Sequence, residues 1–239
     1  MMEKPSGNRY PDIEENLKIV RHSIAETCVK AGREPGDVTL LGVTKTVQPD
    51  RINAAIRAGL EVIGENRVQE YLSKREMINL DNVRAHLIGH LQTNKVSKIV
   101  GKVDMIESID SVKVAKAVSD ASLKRGIVTD VLVQVNIGRE DTKHGVMAEE
   151  LEQLLRAAAC FKGIKIRGLM AIPPIYDTER EKRAVFSDMC KLFIDIKGKN
   201  IDNVAMDILS MGMSADYREA IMEGSTLVRI GSAIFGSRG

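Results

Sequence analysis

The chain has 239 residues and a formal net charge of +2, with 44% hydrophobic and 28% charged residues. That balance is ordinary for a globular chain, and without a Lys- or Arg-rich block it argues against a nucleic-acid partner. Aromatics at 3%, with no tryptophan, leave no base-stacking platform.

The opening MMEKPSGNRYPD lacks the apolar core of a signal peptide, and no stretch reaches the ~18 apolar residues of a membrane span. A cytosolic protein without membrane association is expected. Cys28, Cys160 and Cys190 are far apart, each within an apparent helix. Buried, inert thiols are expected rather than a disulfide framework.

In chain order, Pro11 and Asp12 signal the first helix, with Glu15 completing a capping box. Ile13, Leu17, Val20, Ile24 and Cys28 then recur at helical spacing up to Gly32, so this helix packs on a larger core. From Thr39 strands and helices alternate. Strands are predicted over 39–45, 60–64, 84–89, 104–109, 128–136, 164–170, 207–212 and 226–231. Helices are predicted between them over 49–58, 67–77, 93–100, 112–124, 148–159, 178–197 and 215–223, and SAIFG opens a short last one.

Such alternation implies right-handed crossovers and a parallel sheet. Eight units in this length match a closed (β/α)8 TIM barrel, typically of ~250 residues, with an extra N-terminal helix. A doubly wound open sheet is the alternative. No linker or composition break appears, so residues 1–239 read as a single domain.

The distinctive residues collect at the C-terminal ends of the strands, where active sites of this barrel lie. Lys45 ends an apolar run, TLLGVTK. It either points into water or is an amine able to form a Schiff base. Gly212-Met213-Ser214 follows strand seven and Gly231-Ser232 follows strand eight, where such barrels often build phosphate sites. Ser214 could equally be an ordinary helix N-cap. Arg229, inside strand eight, should point into the barrel and needs a partner, with Asp207 or Glu65 as candidates. A ligand carrying both an aldehyde and a phosphate suits an amine, an anion cradle and an arginine, which makes pyridoxal 5′-phosphate the leading candidate.

The segments GVTKT, IGENRVQE, AHLIGHLQTNK, VLVQVNI, GLMAIPP, LSMGMSADYREAI and STLVRIGSAIFGSR resemble the motifs of the YggS/PROSC family, the pyridoxal phosphate homeostasis proteins. The resemblance runs from about residue 39 to the end. It implies a barrel like the alanine racemase N-terminal domain, with the cofactor held as a Schiff base on Lys45. It implies phosphate positions at Ser214, Gly231 and Ser232, Arg229 facing the pyridine nitrogen, and Asn66 and Met211 near the cofactor. No family functional residue is replaced at a motif position.

An arginine can only donate, so the ring nitrogen facing it stays unprotonated and assists carbanion formation weakly. Alanine racemase adds a tyrosine from a second domain. Here only Ser237-Arg238-Gly239 follow SAIFG, and none of Tyr10, Tyr71, Tyr176 and Tyr217 is placed by a motif at the site. The expectation is therefore a monomer that keeps, and transiently delivers to apoenzymes, pyridoxal phosphate without robust turnover. The alternatives are an amino-acid racemase using His90 or Lys45 as acid/base, and an aldolase-type barrel whose lysine attacks a phosphorylated sugar. His22, His86, His90 and His144 show no shared metal-ligand spacing, so no metal site is expected.

Overall fold

A computed structural model describes residues 10–140 and 142–236. The expectations placed on residues 1–9 and on Ser237, Arg238 and Gly239 lie outside the described residues. Eight parallel strands close a barrel in chain order. They are β1 (Thr39–Val43), β2 (Val62–Glu65), β3 (Arg84–Leu87), β4 (Met105–Ile109), β5 (Thr129–Val135), β6 (Ile164–Ala171), β7 (Val204–Met213) and β8 (Leu227–Ile230). Closure comes from β8 returning to β1, with Leu40 opposite Val228 and Leu41 opposite Arg229. The open-sheet alternative is thereby removed.

The helices α1 (Pro11–Lys30), α2 (Pro49–Arg57), α3 (Val68–Lys74), α4 (Val96–Ile99), α5 (Val112–Leu123), α6 (Leu151–Ala159), α7 (Glu179–Gly198), α8 (Tyr217–Met222) and α9 (Ser232–Phe235) complete the described architecture. Strand alternation divides the apolar residues into two cores. Outward residues such as Ile63, Leu87, Ile106, Val131 and Leu169 join the helices in the larger core. Inward residues fill the barrel in two smaller clusters, Leu41, Val43, Val62, Ile88 and Leu227 on one side and Met105, Leu132 and Met170 on the other. Each fully buried Leu, Ile or Met side chain contributes about 1.5–3 kcal/mol.

Three local expectations are corrected. No capping box forms at Asp12 and Glu15, because α1 already starts at Pro11 with Tyr10 as N-cap and no side-chain cap. Asp12 instead pairs with Arg51 at 3.1 Å. The helix expected over 93–100 is a 3-10 turn, Thr93–Lys95, followed by the four residues of α4. Of the cysteines only Cys28 is buried, whereas Cys160 is exposed just beyond α6 and Cys190 is half-buried. Burial pushes the Cys28 and Cys190 thiols up, which keeps them unreactive.

The extra N-terminal helix covers one flank of the barrel. Ile13, Leu17, Val20, Ile24 and Cys28 are buried along one face of α1. Asn16 donates to the Ile234 carbonyl at 3.0 Å, and the Tyr217 hydroxyl reaches Ser23 at 2.9 Å. These contacts tie α1 to the two elements that follow β7 and β8, the strands bearing the glycine–serine motifs.

Candidate functional site

A cavity of about 340 Å³ opens at the C-terminal end of the barrel, lined by Lys45, Asn66, Ser214, Arg229, Gly231 and Ser232 together with Val43, Ile88, Ile172, Met213 and Ala215. Its volume lies at the small end of the ~300–1,000 Å³ usual for ligand pockets. A larger cavity, about 660 Å³, lies against Arg21, Gly59 and Arg84 at the opposite end, with no lysine or serine in its wall. Chemistry in this fold belongs to the first of the two.

Lys45 sits two residues beyond β1, half-buried, in a turn clamped from both sides. Before it, Thr44 N–H continues the β1–β2 pairing to the Gly64 carbonyl at 2.9 Å, and the Thr44 hydroxyl donates to the Glu65 carboxylate. After it, Thr46 adopts a left-handed backbone (φ 62°) and its N–H meets Glu70 Oε1 at 2.5 Å. Lys74, 6% exposed, locks the clamp, with Nζ at 2.8 Å from the Thr44 carbonyl, 2.8 Å from Glu65 and 2.9 Å from Glu70. Burial pushes the Glu65 carboxyl up, and its hydrogen bonds with Lys74 and Thr44 only partly offset this. Glu65 is therefore committed to the clamp, not to Arg229.

Across the mouth, Ser214 Oγ accepts from the backbone N–H groups of Gly231 at 3.2 Å and Ala233 at 3.4 Å. The ordinary-cap reading of Ser214 on its own helix fails, because Asp216 is the N-cap of α8. Asp216 Oδ1 accepts from Met213 N–H at 2.6 Å, which fixes the loop carrying Ser214. The Ser214 hydroxyl thus sits against the N–H groups that open α9. These are the donors an anion would use. Gly212 contributes at a distance. Its φ of +92° turns the chain, and an added Cβ would lie 2.6 Å from Ala220 Cβ.

Arg229 is 3% exposed and ends a buried polar chain running across the barrel. Its Nη1 donates to Ser210 Oγ at 2.6 Å and its Nη2 to the Ala171 carbonyl at 2.7 Å. Ser210 donates to Glu107 Oε2 at 2.6 Å, and Glu107 Oε1 lies 2.7 Å from His86 Nδ1. Burial pushes the fully enclosed Glu107 carboxyl up, but the His86 hydrogen bond and the Arg229 charge outweigh it and hold it below the usual carboxylate range. An ionised Glu107 only accepts, so the shared proton sits on His86 Nδ1. Burial draws the Arg229 guanidinium below its ordinary value, opposed by Glu107 and Asp216. The expected partners were Asp207 or Glu65. Asp207 instead pairs at the surface with Arg167 at 3.0 Å.

The fold therefore gathers Lys45, Asn66, Ser214, Arg229, Gly231 and Ser232 in one cavity. Met211 is placed elsewhere, fully buried in the outer core, while Met213 lines the cavity. His90 and the four tyrosines do not line it either. Tyr71 reaches the Lys102 carbonyl at 2.8 Å and Tyr217 is tied to Ser23. Sequence spacing gave the histidines no common partner, yet His90, Asp110 and His144 meet on the far side of the mouth. The apolar walls Val43, Ile88 and Ile172 belong to no chemical motif in the sequence. For Val43 the signal was present, since it shares strand parity with Lys45.

A family model described as alanine racemase, N-terminal domain, matches residues 15–239. The pyridoxal phosphate homeostasis protein of Aquifex aeolicus is 42% identical over 224 residues, covering 94% of this chain and 97% of that protein. PipY from Synechococcus elongatus, solved with pyridoxal phosphate bound, superposes with a TM-score of 0.82 at 30% identity, over 94% of this chain and 100% of PipY. Alanine racemase of Clostridium difficile shares the fold, with a TM-score of 0.71 at 16% identity over 94% of this chain and 57% of the racemase. Motif, barrel and near-full-length similarity agree: the chain belongs to the alanine racemase N-terminal domain family and, within it, to the pyridoxal phosphate homeostasis proteins.

Proposed function

We propose that this chain holds pyridoxal 5′-phosphate as a Schiff base on Lys45 and keeps it available, with delivery to apoenzymes and without turnover of its own. The observation that carries this reading is the cavity wall. It joins one amine to an N–H and hydroxyl cradle at Ser214, Gly231 and Ser232, and among the described residues its ionisable side chains are Lys45 and Arg229 alone. When bound, the cofactor supplies an electron-withdrawing ring conjugated to its aldehyde carbon.

The chain's own residues fit that group. Lys45 is the nucleophile, held by its clamped turn. The N–H groups of Gly231 and Ala233, now facing Ser214 Oγ, are donors for the phosphate, with the Ser214 hydroxyl free to rotate and donate as well. Arg229, anchored by Ser210 and Ala171, presents a fixed positive charge that cannot accept a proton. Asn66 adds a polar wall, and Met213, at the end of β7, stands in the wall where Met211 was expected.

Support for holding over turnover comes from what the wall contains. A racemase needs a proton carrier on each face of the substrate, and a positioned acid or base is worth about 10²–10⁴ in rate. Lys45 is one such group, and Arg229 stays protonated. His90, the other candidate, is turned toward Asp110 at 3.0 Å. Loaded protein should exchange Cα hydrogen of L- and D-amino acids for deuterium within about tenfold of free pyridoxal phosphate. Exchange enhanced beyond about 10²-fold would establish the racemase reading instead.

Ser214→Ala should weaken pyridoxal phosphate binding by about 10- to 100-fold, the ~1.5–3 kcal/mol of a hydrogen bond to a charged group. Binding of pyridoxal, which lacks the phosphate, should stay unchanged. Equal losses for both ligands would remove Ser214 from the phosphate site.

A further inference from the structure

The mouth of the barrel carries a second cluster, contributed by three strand ends away from the lysine. His90 follows β3, Asp110 follows β4, and His144 lies in the loop after β5. His90 Nδ1 is 3.0 Å from Asp110 Oδ2, and the His90 and His144 rings stack with centroids 3.7 Å apart and planes 8° from parallel. One ligand atom from each of the three lies within 4.8 Å of the others. None of the three lines the cavity of Lys45.

The backbone under the cluster is fixed while the rings keep freedom. Gln134, buried inside the barrel, donates to the His144 carbonyl at 3.0 Å. Val146 N–H returns to the Gln134 carbonyl at 2.9 Å, so the loop is sewn to β5 at His144 and just after it. Ser108 donates to the Gly89 carbonyl at 2.7 Å, which fixes the residue before His90. Gly89 also presses on the cofactor side, since an added Cβ there would meet the Asn66 carbonyl oxygen at 2.1 Å. His90 and His144 themselves are exposed, and their torsions are open to adjustment.

Two imidazoles and a carboxylate are the donor set of open, three-residue zinc sites. The 3.0 Å between His90 Nδ1 and Asp110 Oδ2 is also close to the ~3.3 Å separating neighbouring ligands of a tetrahedral ion bonded at about 2.0–2.1 Å. An ion can therefore replace the shared proton with a shift of a few tenths of an ångström. His144 must pivot out of its parallel stack to aim a lone pair at the same point, and its exposed position allows that.

We infer that His90, Asp110 and His144 bind a divalent transition metal of the zinc class, with the fourth position open to solvent. The ion stitches the ends of β3, β4 and β5 together, and through Gly89 it braces the wall that carries Asn66.

The test is calorimetric titration of the full chain with Zn²⁺ alone at about pH 7.5, where free imidazole is neutral, followed by Co²⁺ as a visible-absorption probe of tetrahedral coordination. One ion per chain is expected. His90→Ala and His144→Ala should each weaken it about tenfold or more, with unchanged circular dichroism showing that the fold persists. Lys45→Ala and Cys160→Ser should leave metal binding intact, which separates this site from the cofactor and from the exposed thiol. No uptake by the wild-type chain overturns the inference, and so does uptake equal in the His90→Ala/His144→Ala double variant. Loss with Cys160→Ser in place of the histidine variants overturns it too.

Discussion

Lys45→Ala is expected to abolish the absorbance band at about 420 nm that a protein-bound pyridoxal phosphate imine produces. Borohydride should then no longer trap the cofactor on the chain. Forming that bond joins the lysine nitrogen to the aldehyde carbon and releases water, so removing the nitrogen removes the band completely. A weaker, reversible association should remain, because the N–H groups of Gly231 and Ala233 and the Ser214 hydroxyl still meet the phosphate. Lys74 is the nearby amine, and its geometry argues against its acting as a substitute. All three of its N–H bonds are engaged, by the Thr44 carbonyl, Glu65 and Glu70, and an ammonium so held has no lone pair to offer. Lys45 is half-buried in a turn clamped by other side chains, so truncation should change stability by no more than about 1 kcal/mol. Spectra and unfolding curves of wild-type, Lys45→Ala and Lys74→Ala check this together. A 420 nm band surviving in Lys45→Ala would transfer the attachment to another amine.

Glu107→Gln should lower stability by about 3 kcal/mol, the lower end of the range for breaking a buried ion pair by removing one partner. For a chain of this size that corresponds to a fall of roughly 6–12 °C in Tm. The substitution keeps the side-chain shape but removes the larger of the two negative charges that act on the buried Arg229 guanidinium, the one reached through Ser210, and leaves only Asp216. Replacing both residues by leucine should recover much of the loss, since a buried pair is often no better than apolar packing. The pH dependence has a definite sign. Glu107 is held below the ordinary carboxylate range in the fold, so the unfolded chain binds its proton first as pH falls. Its stabilising contribution is complete above about pH 4.3, the unfolded value, and is lost as pH drops through the lower folded value. The difference in Tm between Glu107→Gln and wild type should therefore be full at neutral pH and shrink in acid. A Glu107→Gln chain as stable as wild type at pH 7 would mean that Ser210 and Ala171 satisfy Arg229 unaided.

Much of this architecture can be read from the amino-acid pattern, and particular residues show where that reading stops. Alternating apolar strands and helices mark all eight repeats. The run TLLGVTK sets Lys45 at a strand end, and the paired glycine–serine motifs predict neighbouring loops. The difference at Met211 and Met213 has a local cause. The β7–β8 register shifts between Ser210 and Met213, so the two-residue alternation that puts Ser210 inside the barrel is reset before the strand ends. Arg229 was correctly aimed inward, but its counter-charge comes from β4, and no short-range pattern links strands four and eight. The meeting of His90 with His144 likewise depends on barrel curvature, which neither loop encodes alone. Side chains that act through the closed sheet are the ones a linear reading loses.

The buried chain from His86 to Arg229 has a consequence for assembly. Glu107 and Ser210 are 103 residues apart in sequence, and β1 finds its second neighbour only when β8 arrives. Contacts this remote form late, after the loop-closure entropy of the intervening chain has been overcome. Until the final strand docks, the barrel has neither its arginine nor its anion cradle. With the ligand at the proposed site, capture is restricted to chains that have finished folding, and the ligand in turn stabilises closure of the whole ring by mass action.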